Sequence, residues 1–155
     1  MEKPKYIIPN IKKSKMLGLA YDTYNLLIYD KSVIFAKVPL KLVNEEVNKA
    51  RLKAKADGKG YLSQVKEQIN ASSNFYMRYT NIEKNNVLNE DPANFELIKT
   101  AISKIKANYK TYYDSNDISN SKCEIVFFTN DAKHKFWCEA DLRKLLKETF
   151  GNIVS

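Results

Sequence analysis

The alternation of apolar and polar positions divides the chain into a β-rich first zone, a helical middle zone and a β-rich third zone. In residues 16–39 the runs LLIY and VIFAKV are dominated by aliphatic and aromatic residues, and they predict two strands joined by a turn at Asp30-Lys31-Ser32. An earlier turn is predicted at Asp22-Thr23. Pro39 ends the last strand, because proline has no amide hydrogen to donate to a neighbouring strand. The first zone is therefore predicted to be a short meander of three strands.

The middle zone has the spacing of amphipathic helices. Asn44 is predicted to cap a helix whose first turn carries two glutamates, which are favourable at the positive end of the helix dipole. The apolar positions of this helix are small and few: Val43, Val47, Ala50 and Ala54. We therefore expect it to pack lightly on the rest of the protein or to engage a partner.

Two further helices are predicted in the middle zone. The sequence DGKG at residues 57–60 interrupts the first helix, and the spacing of Leu62, Val65 and Ile69 predicts a second helix beyond it. A third is predicted over residues 82–90, ending before Asp91-Pro92, because a residue that precedes proline disfavours helical geometry.

The third zone returns to strand patterns and ends in a helix. Residues 95–98 predict a short strand, and residues 103–113 a long one in which Lys104, Lys106, Asn108 and Lys110 alternate with Ile105, Ala107, Tyr109 and Thr111. After a polar loop at 114–121, strands are predicted at 123–129 and 133–138 around a turn at Asn130-Asp131. The last helix carries one apolar stripe and a C-cap glycine: Leu142, Leu145, Leu146, Phe150 and Gly151.

The predicted order of elements is three strands, a helical segment, four strands and a terminal amphipathic helix. Since strands and helices do not alternate, a doubly wound parallel sheet is not expected. The fold class is therefore predicted to be antiparallel α+β.

The order of seven strands and one helix, together with local sequence, resembles the bacterial pleckstrin-homology-like (PH-like and GRAM-like) domains. YNLLIYDKSVIFAKV is similar to their opening hairpin, and NFELIKTAISKI is similar to a later pair of strands. CEIVFFTNDAKHKFWC followed by ADLRKLLKETFG is similar to their last hairpin and capping helix. The resemblance covers residues 16–39 and 94–151 and leaves residues 40–92 as an insertion.

The resemblance implies one domain over residues 1–155. This would be a partly open antiparallel barrel of about seven strands, with the terminal helix at one end and a helical insertion after the third strand. It also implies a non-catalytic binding or scaffolding module. The phosphoinositide-binding members of the family carry clustered basic residues after their first strand. The corresponding position here is Tyr21-Asp22-Thr23-Tyr24, which is acidic and aromatic and does not match.

A formal charge of +8 and a pI near 9.3 favour anionic partners, whether nucleic acid, anionic lipid or acidic protein. Lysine greatly outnumbers arginine, and a lysine-rich, AT-rich coding composition explains the same charge without any binding role. The candidate anion-binding residues are Lys104, Lys106, Lys110, Lys133 and Lys135. On the long strand, alternation places Tyr109 on the face opposite the lysines and Tyr112 on the same face. Such a row is either a binding surface or the solvated side of a sheet.

The sequence predicts no catalytic residues, no metal site and no cofactor. The single histidine, His134, stands between two lysines and is expected to be an exposed surface imidazole without the carboxylate partner of a general base. Across a two-residue turn at Asn130-Asp131, Cys123 would face Cys138, either as two reduced thiols or as a redox pair. A three-residue turn would separate them. Their spacing does not match that of a zinc site.

The expected location is the cytoplasm. The first residues form neither a signal peptide nor a transmembrane segment, and two cysteines suit a reducing compartment. The primary functional prediction is docking to a protein partner or to an anionic surface. The alternatives are a nucleic-acid-binding protein that uses the basic sheet face, and, last, an enzyme of unrecognised type.

Overall fold

A computed structural model describes residues 1–61, 63–64, 67, 74–113, 115–116 and 119–155. Its strands are β1 Tyr6–Lys15, β2 Ala20–Ile28, β3 Ser32–Lys37, β4 Phe95–Ile98, β5 Lys104–Tyr113, β6 Ser119–Phe128 and β7 Lys133–Cys138. The α-helices whose bounds it describes are α1 Leu40–Ala56, α2 Lys84–Glu90 and α3 Arg143–Phe150, and residues 61, 63–64 and 67 are also helical. Short 3-10 turns occupy Met16–Gly18, Phe75–Thr80, Lys99–Ala101 and Gly151–Ile153.

The seven strands form one antiparallel sheet in the order β4-β3-β2-β1-β7-β6-β5. Because β4 and β5 stand at opposite ends of this order, the sheet is not closed. The prediction of an antiparallel α+β protein with a C-terminal helix is confirmed. The helical segment lies between β3 and β4, after three strands, as the element order predicted.

The first strand lies outside the zone in which it was predicted. β1 covers Tyr6–Lys15, whereas Asp22 and Thr23, where a turn was expected, lie inside β2. The apolar alternation of β1 is hard to detect because its pairing with β2 is irregular between Ile8 and Ile11. Asn10 in this bulge has a φ of 60°, and its amide donates to Asn25 Oδ1 at 3.2 Å. The turn between β1 and β2 is Met16–Gly18.

The helical segment follows the prediction in part. α1 begins at Leu40 with Pro39 as its N-cap residue, so the predicted cap at Asn44 is wrong. It ends at Ala56, where the DGKG interruption was expected, and it buries only Ala54. The third predicted helix is confirmed as α2. The second, predicted from Leu62, Val65 and Ile69, lies largely outside the described residues.

The C-terminal half agrees more closely with prediction. β5, the turn at Asn130-Asp131, β7 and the apolar stripe of α3 are confirmed, and Gly151 has the positive φ of 68° expected of a C-cap glycine. β6 begins at Ser119, so the end of the predicted polar loop belongs to the strand. The last residues run beside β5, where the Ser155 amide donates to Ile105 O at 2.9 Å.

The core has two layers, one on each side of the sheet. The inner layer lies between the strands and α3, and its largest members include Phe35, Phe127 and Leu146. Among the described residues, the outer layer lies over β2 and β3, where Leu27, Ile34 and Ala36, with Tyr29 just after β2, pack against Tyr79 and Val87 of the helical segment. Ile7 of β1 packs at its margin. The outer side of β5, β6 and β7 therefore becomes the place to examine for a binding surface.

Candidate anion-binding face

The long strand β5 presents its lysines to solvent. Lys104, Lys106 and Lys110 are exposed, Ile105 is buried, and Tyr109 packs against the inner core. Lys133 and Lys135 of β7 are likewise exposed, on either side of the inward-facing His134. The structure thus places all five predicted lysines on the outer side of the sheet, which we call the basic face.

Strand register brings these lysines into rows that cross three strands. Lys104 pairs with Phe128, which pairs with Lys133; Lys106 pairs with Val126, which pairs with Lys135. Neighbouring strands in a sheet are about 4.8 Å apart, so each row spans about 10 Å from one lysine to the other. The β5 and β7 lysines therefore form one surface with an apolar strip between them.

The basic face carries little negative charge. Glu124 is the one acidic residue in β5, β6 and β7, and it pairs with Lys122 at 3.3 Å. Among the residues that the structure describes, none of the five predicted lysines forms an ion pair. Since no ion pair among the described residues neutralises these five lysines, this surface is a candidate for binding anions.

Two aromatic residues on this face were missed by the sequence analysis. The Phe128 ring lies between Lys106 Nζ at 5.7 Å and Lys133 Nζ at 5.5 Å from its centroid. The Trp137 ring is approached by Lys12 Nζ at 4.6 Å and Lys122 Nζ at 5.1 Å. Their positions could have been found, because Trp137 has the parity of Lys133 and Lys135, and the predicted hairpin pairs Phe128 with Lys133.

A shallow groove of about 470 Å³ runs beside Trp137 on this face. Its lining includes Lys133 and Lys135 of β7, Lys122 of β6 and the end of β1 at Lys13 and Ser14. The groove therefore joins the basic face to the C-terminal part of β1. Its mixture of ammonium groups, one carboxylate and an indole suits an anionic ligand that also has a flat or apolar part.

The β1–β2 turn is an exposed apolar tip that follows three lysines, Lys12, Lys13 and Lys15. The relative exposures of its apolar residues are 68% for Met16, 104% for Leu17 and 86% for Leu19. The turn predicted at Asp22-Thr23, which served as the loop after the first strand in the comparison with the PH-like family, is therefore wrong. Those residues lie in β2, and the residues that follow the first strand are Met16–Gly18.

Asp22 lies close to this tip and is neutralised by lysines. Lys15 Nζ donates to Asp22 Oδ1 at 2.7 Å, and Lys37 Nζ lies 3.8 Å from the same oxygen. The hydrogen bond from Lys15 is the main reason that the pKa of Asp22 lies below its usual range. These residues also line a cavity of about 730 Å³ between β2 and the helical segment.

His134 differs from its prediction. It is half-buried rather than exposed, and its ring stacks on Phe95 at a centroid distance of 5.0 Å. Burial, and secondarily the charge of Lys13, lowers the pKa of His134 below its ordinary value. The expectation was wrong because flanking lysines on a strand point to the opposite side from the residue between them.

The two cysteines face each other as the hairpin register predicted. Cys123 pairs directly with Cys138, and both are buried free thiols. Cys138 Sγ lies 3.2 Å from the Ala140 carbonyl oxygen. Burial raises the pKa of Cys123, and it raises that of Cys138 to about 11. Such thiols are poor nucleophiles.

Within the described ranges, no group of three or more His, Cys, Asp or Glu side chains could hold a metal ion. Over the same residues, no helix combines the length and apolarity that crossing a membrane requires. Comparison with known proteins finds no family model, curated protein or solved structure that matches the chain. The PH-like resemblance therefore stays a prediction.

Proposed function

We propose that this protein is a non-catalytic binding module of the PH-like type that docks on an anionic surface through its basic face. Residues 1–155 would form the domain, with residues 40–92 as its helical insertion, and we place it in the cytoplasm. The observation that carries the proposal is the common orientation of five lysines that have no ion-pair partner among the described residues. Ion pairs elsewhere, such as that between Arg78 and Glu90 at 2.6 Å, contrast with this.

The architecture supports the PH-like part of the proposal. A single open antiparallel sheet of seven strands is followed by an amphipathic helix packed on its inner core. Such a fold supplies a rigid scaffold with an outer side free for recognition. Fold alone does not assign a ligand, so the charge pattern of the basic face decides what would bind.

The energetics favour weak docking. A lysine close to an anionic bilayer contributes about 1 kcal/mol. Five such lysines together would supply about 5 kcal/mol, which corresponds to a dissociation constant of roughly 0.1–1 mM. Binding by charge alone would therefore be reversible and sensitive to salt, because counterions screen exposed charges.

The test is co-sedimentation of the purified protein with two kinds of vesicle, phosphatidylcholine alone and phosphatidylcholine with phosphatidylserine. We expect binding to the anionic vesicles only, and a steady loss as salt rises. A parallel measurement with a single-stranded oligonucleotide covers the other class of anionic surface. If neither surface is bound at low salt, the proposed function is overturned.

Nucleic acid binding is a second candidate, and the two aromatic residues on the basic face favour it. Single-stranded binders combine a basic surface with rings on which bases stack. Phe128 and Trp137 would supply these rings, and each of them is approached by two lysines. A gel shift that weakens steeply with salt, and that Phe128→Ala reduces while Tyr113→Ala does not, would support it.

A protein partner is a separate candidate, and α1 is the element that favours it. This helix buries only Ala54 and leaves Leu40 and Leu52 exposed. A partner that covers α1 should slow hydrogen exchange there when cell extract is added. Protection confined to β5–β7 would point back to the basic face.

A further inference from the structure

We propose that the cavity between β2 and the helical segment binds a small aromatic carboxylate that carries a hydroxyl group on its ring. We call this space of about 730 Å³ the β2 cavity, and its lining includes Asn25, Lys37, Val43 and Phe75. Its volume lies within the range of about 300–1,000 Å³ that is usual for small-molecule sites. Because it lies over β2 rather than over β5 and β7, the inference does not rest on the basic face.

The helical segment packs on one part of β2 and leaves a space over another part. Leu27 lies beneath Tyr79 and Val87 in the outer core layer. Thr23 and Asn25 share the outer side of the sheet with Leu27, because alternate residues of a strand face the same way. These two residues line the β2 cavity. Protein interiors are close-packed, so a space of this size beside a buried strand favours a binding role over a packing role.

The most buried polar side chain in the lining is Asn25, which is 2% exposed. Its Oδ1 accepts a hydrogen bond from the Asn10 amide in the bulge of β1 at 3.2 Å, which fixes the orientation of the side chain. The Asn25 amide nitrogen carries two hydrogens, and the nearby Tyr79 hydroxyl can accept one of them. At least one hydrogen therefore has no partner among the described residues and is available to an acceptor atom in the cavity.

The helical segment gives the β2 cavity an apolar and aromatic wall. Leu40 and Val43 of α1 contribute aliphatic side chains, and Phe75 and Tyr76 contribute rings. Phe75 is buried, and its ring packs edge-on against Tyr79 at a centroid distance of 6.4 Å, which holds it in place. Aromatic rings bury a large apolar area and pair favourably with one another, so this wall suits a ligand with a flat ring.

The charged residues of the lining are more exposed than Asn25, so we place them at the mouth of the cavity. Lys15 Nζ donates to Asp22 Oδ1 at 2.7 Å, whereas Lys37 Nζ lies 3.8 Å from the same oxygen. Lys37 is therefore the ammonium group less engaged by Asp22. Two lysines and one aspartate leave a net charge of +1 in the lining. This charge suits a ligand with one negative charge, such as a carboxylate.

The order of these groups along β2 matches the two ends of the proposed ligand. Asn25 and Asp22 are three residues apart, so roughly 10 Å of strand separates the buried amide from the charged mouth. In 3-(4-hydroxyphenyl)propionate, a phenol oxygen and a carboxylate stand at opposite ends of a molecule of comparable length. The phenol oxygen would accept from Asn25, the ring would lie against Phe75, and the carboxylate would pair with Lys37.

The test is a titration of the ¹⁵N-labelled protein with 3-(4-hydroxyphenyl)propionate, followed by NMR. We expect the amide signals of Thr23, Asn25 and Phe75 to shift with a dissociation constant of roughly 0.1–1 mM, which is usual for so small a ligand. Signals of β5 and β7 should not move. The uncharged 3-(4-hydroxyphenyl)propanamide should bind about tenfold more weakly, because it cannot form the ion pair with Lys37.

Two pairs of variants locate the site. Lys37→Met should weaken binding of the carboxylate about tenfold. Lys31→Met removes an exposed lysine just before the other end of β3, outside the lining, and should leave binding unchanged. Val43→Trp should fill the cavity and abolish binding. Leu52→Trp, at an exposed position of the same helix, should not.

Three results would overturn the inference. One is binding that survives both Lys37→Met and Val43→Trp, or that shifts only the signals of β5–β7. Another is equal affinity for the carboxylate and the amide. The third is an unchanged spectrum throughout the titration, since the spectrum itself shows whether the protein is folded. Each of these results leaves the vesicle measurements of the proposed function unaffected, so the two proposals can fail separately.

Discussion

The outer side of the sheet is apolar and covered over β2 and β3, which we call the covered end. It is basic and exposed over β5 and β7, which we call the exposed end. On β2 and β3 the outward residues Leu27, Ile34 and Ala36 pack beneath Tyr79 and Val87. On β5 and β7 the outward residues include five lysines, all of which are exposed. A strand buried on both sides needs apolar residues throughout, whereas a strand buried on one side alternates. Burial on both sides explains the continuous apolar runs LLIY and VIFA. Burial on one side explains the alternating sequence KIKANYK.

From this comparison we expect that the five lysines of the basic face are not needed for folding. The covered end depends on its outward residues for a second core layer, but the exposed end gains no such packing from its own. Substitutions at the two ends should therefore separate stability from binding. The following experiments are arranged from the largest expected change in stability to the smallest.

Tyr79→Ala should have the largest effect. Tyr79 is fully buried on the outer side of β2 and β3, so truncation leaves a cavity and should lower the free energy of unfolding by about 3–4 kcal/mol. Urea unfolding measures it. The matched control is Tyr113→Ala on β5, which is exposed and should change stability by less than about 0.5 kcal/mol. Equal losses at the two positions would contradict the distinction between the ends.

Lys84→Met should have an intermediate effect, because this lysine holds α2 on the covered end. Its Nζ donates to the buried Ser32 Oγ at 2.7 Å and pairs with Glu96. Burial alone would raise the pKa of Glu96, but hydrogen bonds with Lys84 and Ser32 lower it. The substitution removes the lysine that both Ser32 and Glu96 contact, and it should cost about 1–3 kcal/mol in urea unfolding. Lys106→Met on the basic face should cost almost nothing, and a comparable loss there would be evidence against our assignment.

Substitution of His134, which lies on the same strand as Lys133 and Lys135, should have a smaller and pH-dependent effect on stability. Burial lowers its pKa in the folded protein, so the unfolded chain takes up the proton first as pH falls. Stability should therefore decline as pH falls below about 6.5, the ordinary histidine pKa, until the lower folded pKa is reached. His134→Phe should remove this part of the pH dependence in thermal unfolding. An unchanged profile would show that His134 is not the group responsible.

Much of the C-terminal half could be predicted because its patterns are local. Alternation identified β5, and the two-residue turn at Asn130-Asp131 fixed the register that pairs Cys123 with Cys138. The apolar stripe of α3 is similarly visible within a few turns of helix. In these elements one side is buried and the other is not, so the side-chain period reports the structure directly.

The first strand and the tip could not be predicted in the same way. Pro9 and Asn10 interrupt the alternation of β1 at its bulge, and Ile11 is followed only by the polar residues KKSK. With β1 missed, the exposed turn was placed at Asp22-Thr23 instead of Met16–Gly18. The outer core layer was missed for a different reason: the contacts of Tyr79 and Val87 with β2 and β3 join residues about fifty positions apart.

The most direct test of the central claim compares two triple charge reversals of equal size. One replaces Lys104, Lys106 and Lys110 by Glu on the basic face; the other replaces Lys41, Lys53 and Lys55 by Glu on α1, where these lysines are also exposed. Binding to vesicles that contain phosphatidylserine is measured for each at the same salt concentration. We predict that the β5 variant loses binding and that the α1 variant retains most of it. Equal losses would show that overall charge, rather than the basic face, attracts the anionic surface.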